Sequence, residues 1–270
     1  MGLALRRLGV KVSGIDSDRA NLSAARRLGA VSRVSACPVA GVRGAGLVVL
    51  CVPVSEMARC ARSIAPGLGE RVVVTDAGSV KSPVIAEMSG IVPDPRGFVG
   101  AHPMAGSEKS GVRNASPFLF KDRICVVTPI AGTRPDAVRL VERMWHAVGA
   151  KTVRMSPARH DSIAARVSHL PHALAAALVQ SALSDPAARK IAAGSFLDMT
   201  RVAASPPVLW KGIILANRRE VLAALADFQK QLGEFERELR GGNGPALAAF
   251  LKRAGILRRR VAAGRGSRFS

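Results

Sequence analysis

Short runs that are apolar at almost every position alternate with amphipathic stretches along this chain as far as residue 155, and then stop. The runs lie at 47–52, 71–75, 97–100 and 123–128, with a last short strand at 151–155; helical patterns at 1–8, 19–28, 55–65 and 135–148 fall between or before them. A strand apolar on both sides has both faces covered, which is the situation of a parallel sheet. Strands spaced by helices in this order predict an α/β, doubly wound parallel sheet over residues 1–155. From Ser156 onward the pattern is helical only, with Arg218 to Arg240 carrying an apolar stripe of core or subunit-interface type. Pro171 falls inside one of these helical stretches. A proline there costs about 3 kcal/mol and frees a carbonyl, so a kink at a working site is expected. The chain is thus read as domains 1–155 and 156–258, followed by a basic, disordered tail at 259–270.

Composition removes several classes of function. A net charge of +21 suggests a polyanion partner, but the 31 arginines and 9 lysines are spread along the whole chain. Only Arg258-Arg259-Arg260 form a cluster, so no specific nucleic-acid partner is expected. No run reaches the ~18 apolar residues of a membrane span. The 4 cysteines have no CxxC spacing and read as reduced thiols in a cytoplasmic protein. His160, Asp161, His169 and His172 fit no common zinc spacing, so no metal is expected.

Chemistry gathers where strands end, since ligands of open α/β sheets bind at those ends. After Phe98-Val99 comes Gly100-Ala-His102-Pro-Met-Ala-Gly-Ser-Glu108-Lys-Ser-Gly111, a glycine-rich loop holding an imidazole and a carboxylate. The 71–75 run enters Asp76-Ala-Gly78-Ser79, where Gly78 permits a close turn and Ser79 stands at the mouth of the next helix, as an N-cap or among free N–H groups. The strand pattern at 10–15 ends in Asp16, placed to bind an adenosine ribose 2′-hydroxyl and to repel a 2′-phosphate, which favours NAD over NADP.

In order and spacing, these motifs resemble the prephenate/arogenate dehydrogenase family of tyrosine biosynthesis. They are Val-Thr-Asp-x-Gly-Ser-Val-Lys at 74–81, His-Pro-Met-Ala-Gly-Ser-Glu-x-Ser-Gly at 102–111, His-Asp…Ser-His-Leu-Pro-His at 160–172, Asp-x-Thr-Arg at 198–201 and the Trp at 210. The resemblance implies a Rossmann-like nucleotide-binding domain followed by an all-helical dimerisation domain, and a homodimer. It implies oxidative decarboxylation: hydride passes from ring C4 of prephenate to NAD, the 4-hydroxyl loses its proton, and the ring carboxylate leaves as CO2. His102 matches the base on the 4-hydroxyl and Ser79 the serine beside it. Glu108 matches a loop acid shaping access, Asp161 an acid behind the substrate site, His172 a residue near the substrate side chain, and Arg201 the guanidinium on a carboxylate. Trp210 matches an aromatic near the site. A surface ion pair remains open for Arg201 and a core place for Trp210. Asp16, Val52, Pro53, Asp76, Gly78 and Ser79 border the cofactor by the same resemblance. His172 favours prephenate over arogenate. An arogenate dehydrogenase, or an inactive remnant that dimerises and binds substrate-like acids, are the alternatives.

One feature departs from the family pattern. Rossmann units open with a strand and Gly-x-Gly-x-x-Gly, whereas Met1 to Gly9 reads as the helix that follows them. The expectation is that Met1 is an internal methionine and that the natural protein carries roughly 10–20 further residues, the length of one strand and its turn.

Overall fold

In a computed structural model, which describes residues 1–105 and 111–266, the first part of the chain runs α1 (Gly2–Arg7), β1 (Ser13–Ile15), α2 (Arg19–Arg27), β2 (Arg33–Ser35), α3 (Pro38–Val42), β3 (Leu47–Leu50), α4 (Met57–Ile64), β4 (Val73–Asp76), α5 (Ser82–Met88), β5 (Phe98–Pro103), β6 (Ile124–Thr128), α6 (Pro135–Ala147) and β7 (Lys151–Arg154). Helices follow: α7 (Pro157–Ala164), α8 (Leu170–Ala182), α9 (Pro186–Ile191), α10 (Gly194–Thr200), α11 (Pro207–Ala216), α12 (Arg218–Arg240) and α13 (Gly244–Gly266). Helix α13 continues through Arg259 to Gly266, and the last four residues of the expected tail lie outside the described residues. Arg and Ala are strong helix formers, and their propensity carries the helix on.

The strands form two sheets, a parallel β1-β2 pair and a five-stranded sheet of order β3-β4-β5-β6-β7. Strands β3, β4 and β5 are parallel, as the doubly wound pattern requires. Within this Rossmann-like sheet β6 departs from the parallel pattern and runs antiparallel to β5, with β7 parallel to β6. A parallel neighbour needs a crossover helix, and the described part of the β5–β6 connection carries only a 3-10 turn at Val112–Asn114.

Alternate residues of the sheet feed two cores. Val72, Val74 and Phe98 pack with Met57, Ile64, Val84 and Met88 of α4 and α5. Val73, Val99 and Val127 turn the other way, onto Val141, Met144 and Trp145 of α6. Ile213 of α11 joins the first of these cores, so helices after residue 156 share it with the sheet. Contacts accordingly group Met1–Val221 as one compact unit, with the residues from Leu222 onward as a second. In that second unit the Phe235 and Phe250 rings lie 5.6 Å apart, and Arg253 pairs with Glu234 at 3.0 Å.

The kink expected at Pro171 takes the form of a π-helical turn, Ala165–His169, inserted between α7 and α8. Pro171 then sits in the first turn of α8, where its missing N–H costs little. Such inserted turns recur at functional sites. No helix among the described residues is long and apolar enough to cross a membrane.

Candidate active site

His102 lies at the carboxyl end of β5, inside the strand rather than in the loop after it, and pairs with Val126 of the antiparallel β6. Its Nδ1 is 2.8 Å from Nε2 of His160 on α7, with the two rings edge to face. Nδ1 of His160 is in turn 2.8 Å from Oδ1 of Asp161. Asp161 accepts the backbone N–H groups of Lys81 at 2.8 Å and Ser82 at 2.7 Å. Those are N–H groups of the first turn of α5, so a carboxylate from α7 caps a helix of the sheet layer.

This capping corrects one expectation. Ser79 is not the N-cap of α5, because the helix begins at Ser82 and its amide donors belong to Asp161. Asp161 itself is buried, with its oxygens turned to protein donors and not toward a substrate. Burial pushes the Asp161 carboxyl up, but the bonds from His160, Ser82 and Lys81 outweigh it and hold the carboxyl below its ordinary value. Burial, with the neighbouring His160 and Lys81, holds His102 well below the usual histidine range, so its imidazole is neutral at pH 7.

Beneath His102 lies a buried ion pair. Lys81 and Asp76 are both wholly buried and in contact, and Lys81 Nζ also donates to the carbonyl of Ala101 at 2.8 Å. Asp76 Oδ1 accepts the Ala101 N–H at 3.0 Å and Oδ2 accepts the Gly78 N–H at 2.9 Å. The pair ties the β4–α5 loop to the end of β5. Asp76 therefore shapes the site from inside, a correction to its expected contact with cofactor. A Cβ at Gly78 would lie 2.5 Å from Met57 Cε and 2.9 Å from Asp76 Oδ2, so those side chains would have to shift to admit one.

A second cluster continues from Asp161. Asn217 donates to the Asp161 carbonyl at 2.9 Å and lies 3.1 Å from His169 Nδ1. The ring of Trp210 meets His169 edge-on and stacks on His172, with centroids 3.6 Å apart and planes 9° from parallel. Trp210 is thus an aromatic platform between two histidines, at the edge of the core. His169 Nε2 and His172 Nδ1 are buried and have no hydrogen-bond partner among the described residues. Burial lowers both histidines, His169 to about 4, so both rings are neutral at pH 7. Arg201 is exposed and opens the 3-10 turn after α10, a turn that packs against α8.

On the open edge, Asp16 follows the last residue of β1 and is part-exposed; its oxygens accept from Asp18 N at 2.9 Å and Asn21 Nδ2 at 3.4 Å. Part-buried Val52 and exposed Pro53 follow β3. Ser79 is part-buried in the loop after β4. Glu108 lies outside the described residues. Among the described residues, no group of three or more His, Cys, Asp or Glu could hold a metal ion.

Four residues of this network have no assigned catalytic or binding role in the sequence: His160, Lys81 and His169, which lie within its motifs, and Asn217, which lies in none. The His160-Asp161 dipeptide was the one available signal, and it was weighed only for metal spacing.

The chain matches two family models, "Prephenate dehydrogenase, nucleotide-binding domain" over residues 1–154 and "Prephenate dehydrogenase, dimerization domain" over residues 156–253. It is 32% identical over 251 residues to a prephenate dehydrogenase of Bacillus subtilis, covering 91% of this chain and 68% of that protein. To a cyclohexadienyl dehydrogenase of Zymomonas mobilis it is 36% identical over 216 residues, covering 78% of this chain and 73% of the other. The crystal structure of prephenate dehydrogenase from A. aeolicus in complex with hydroxyphenyl propionate and NAD+ superposes with a TM-score of 0.90 at 34% identity, covering 96% of this chain and 93% of that one.

Proposed function

We propose, for a chain that belongs to the prephenate dehydrogenase family, the NAD-dependent oxidative decarboxylation of prephenate to 4-hydroxyphenylpyruvate. The observation that carries the reading is His102: a neutral imidazole at a sheet's carboxyl end, anchored through His160 to a buried carboxylate. A neutral ring has a lone pair to offer, which a general base requires.

NAD fits the residues present. Asp16 keeps acceptor capacity on a part-exposed carboxylate and would take the ribose hydroxyls, while its charge opposes a 2′-phosphate. Val52, Pro53 and Ser79 would border the cofactor between that strand end and His102. When bound, the nicotinamide takes up the hydride from C4 of the substrate ring. His102 accepts the 4-hydroxyl proton as the hydride leaves. The dienone so formed loses its ring carboxylate as CO2, and the bond's electron pair completes the aromatic ring. The resulting phenolate takes the proton back from His102, so the hydroxyl hydrogen is conserved. Aromatisation drives the sequence, and the chain's task is to orient the reactants and to move one proton.

Arg201 would hold the side-chain carboxylate with its planar fork. The unpartnered His172 Nδ1, braced on Trp210, suits the keto acid of prephenate, and Glu108 would shape access to it. We place the nucleotide-binding part at 1–155 and the helical substrate and dimerisation part at 156–258, supported by the bounds of the two family matches. A homodimer is supported by the second match and by apolar side chains on the surface of the helical part, among them Ile191 at 82% exposure and Val208 at 77%. A cytoplasmic location is part of the same reading.

The test is NADH formation by the purified chain with NAD and either prephenate or arogenate. NADH from prephenate, faster than from arogenate, is expected. No NADH from either acid would leave a protein that binds without turnover.

A further inference from the structure

We infer that His160 is a positioning residue that dictates which nitrogen of His102 carries the hydrogen, so that the Nε2 lone pair of His102 faces the substrate. The inference rests on the reading of His102 as the base. It follows from donor and acceptor accounting along one chain of contacts.

Asp161 is the fixed end. Its oxygens accept the Lys81 and Ser82 backbone N–H groups, and an ionised carboxylate can only accept. Nδ1 of His160, 2.8 Å from Oδ1, must therefore be the donor. In a ring with one N–H, that hydrogen is spent on Asp161, so Nε2 of His160 is bare and can only accept. Nδ1 of His102, 2.8 Å from that nitrogen, must then donate, which leaves Nε2 of His102 bare. Two rings thus transmit the polarity of a helix-capping carboxylate to the reacting nitrogen.

Left alone, an imidazole can present either N–H or lone pair, and the N–H form cannot take a proton. His160 is 2% exposed, so no bulk water replaces it as the acceptor. The edge-to-face packing, with centroids 5.1 Å apart and planes at 72°, holds both rings against rotation. When Nε2 of His102 takes the hydroxyl proton, its Nδ1–H remains bonded to His160, which stabilises the imidazolium until the proton returns. The other described groups facing His102 are Lys81 from the loop before α5, His169 from the π turn and Cys125 on β6. Burial pushes the Cys125 thiol up to about 12, so it stays protonated and does not compete for this role.

The test reads the tautomer directly. Imidazole-15N-labelled protein gives long-range 1H–15N correlations for each histidine, and the His102 signals are those missing in His102→Asn. Wild type should show hydrogen on Nδ1 and none on Nε2. His160→Leu should shift His102 to a mixture or to the Nε2–H form and lower kcat by about 10²-fold, with KM for prephenate within about twofold. His160→Gln, whose side-chain oxygen can accept near the position of Nε2, should recover kcat to within about fivefold of wild type. A wild-type His102 protonated on Nε2 would overturn the inference whatever the variants do. So would His160→Leu with unchanged tautomer and kcat. If His160→Leu does not fold, a kcat for His160→Gln as low as that of His102→Asn overturns it. Failure of wild type to form NADH from prephenate would instead remove the functional reading, and the tautomer would still be measured.

Discussion

Two kinds of functional side chain meet in this molecule, and they are held in opposite ways. His102, His160, Asp161, Lys81 and Asp76 form a closed interior chain in which each group's partners are protein atoms. Arg201, Asp16 and Pro53 stand wholly or partly in solvent, and a ring nitrogen of His172 has no partner among the described residues. The contrast follows from the work each set does. Proton transfer needs a fixed tautomer in a dry place, so its residues are satisfied before any ligand arrives. Binding needs groups that a ligand can reach, so Arg201, Asp16 and Pro53 stand at the surface.

If the interior set carries the chemistry, damage there should strike kcat and stability, while damage at the rim should strike KM. The largest expected effect is on His102→Asn, whose kcat should fall by about 10²- to 10⁴-fold with NAD affinity retained by calorimetry. Near-native turnover in that variant would end the assignment of the base. Next comes Asp76→Ala, which leaves the buried Lys81 ammonium without its carboxylate. Removing one member of a buried pair costs about 3–5 kcal/mol. A fall in Tm of roughly 10 °C is therefore expected by calorimetric scanning. A change under about 2 °C would show that the pair does not clamp β5 to the β4–α5 loop.

This division was only half legible in the sequence. Apolar runs announced β3, β4, β5 and β6, a short strand-like stretch at 151–155 marked β7, and the apolar stripe and breaks around α12 placed it at Arg218–Arg240. The β2 strand and α3 were missed because three and five residues, respectively, are too short to show a period. The reversal at β6 was missed because periodicity reports which residues are buried and not which way a strand runs. Motif positions such as His102 and His172 stood out as residue types with few bland uses. His160 did not, since its role depends on the amides of Lys81 and Ser82, which are distant in sequence and offer no side chain to notice. Asp76 and Gly78 were read as facing a ligand when their partners are Lys81, Ala101 and Met57, because a sequence shows a strand end but not which side of it is filled.

At the rim the expected effects are smaller and of another kind. Arg201→Ala should raise KM for prephenate by roughly 10- to 100-fold, the loss of a charge-assisted bond worth about 1.5–3 kcal/mol. KM for NAD and the Tm should hardly move. A variant that unfolds early while keeping its KM would place Arg201 among the structural residues and break the contrast. Smaller still, Asp16→Ser should lower KM for NADP by a few-fold to about tenfold, since one charge pair near water is worth only about 1 kcal/mol. If wild type uses NADP and NAD equally well, Asp16 does not select the cofactor.

The central claim, that a neutral His102 held by the interior chain is the base for prephenate oxidation, is tested most directly by the pH dependence of wild-type kcat/KM for prephenate at saturating NAD. His102 is held below the ordinary histidine value, chiefly by burial, so its working neutral form persists as pH falls through 7. The profile should stay level from mildly alkaline pH through neutrality and decline on the acid side, through one group titrating well below about 6.5. An acid limb centred at or above about 6.5, or no acid limb at all, would contradict the account.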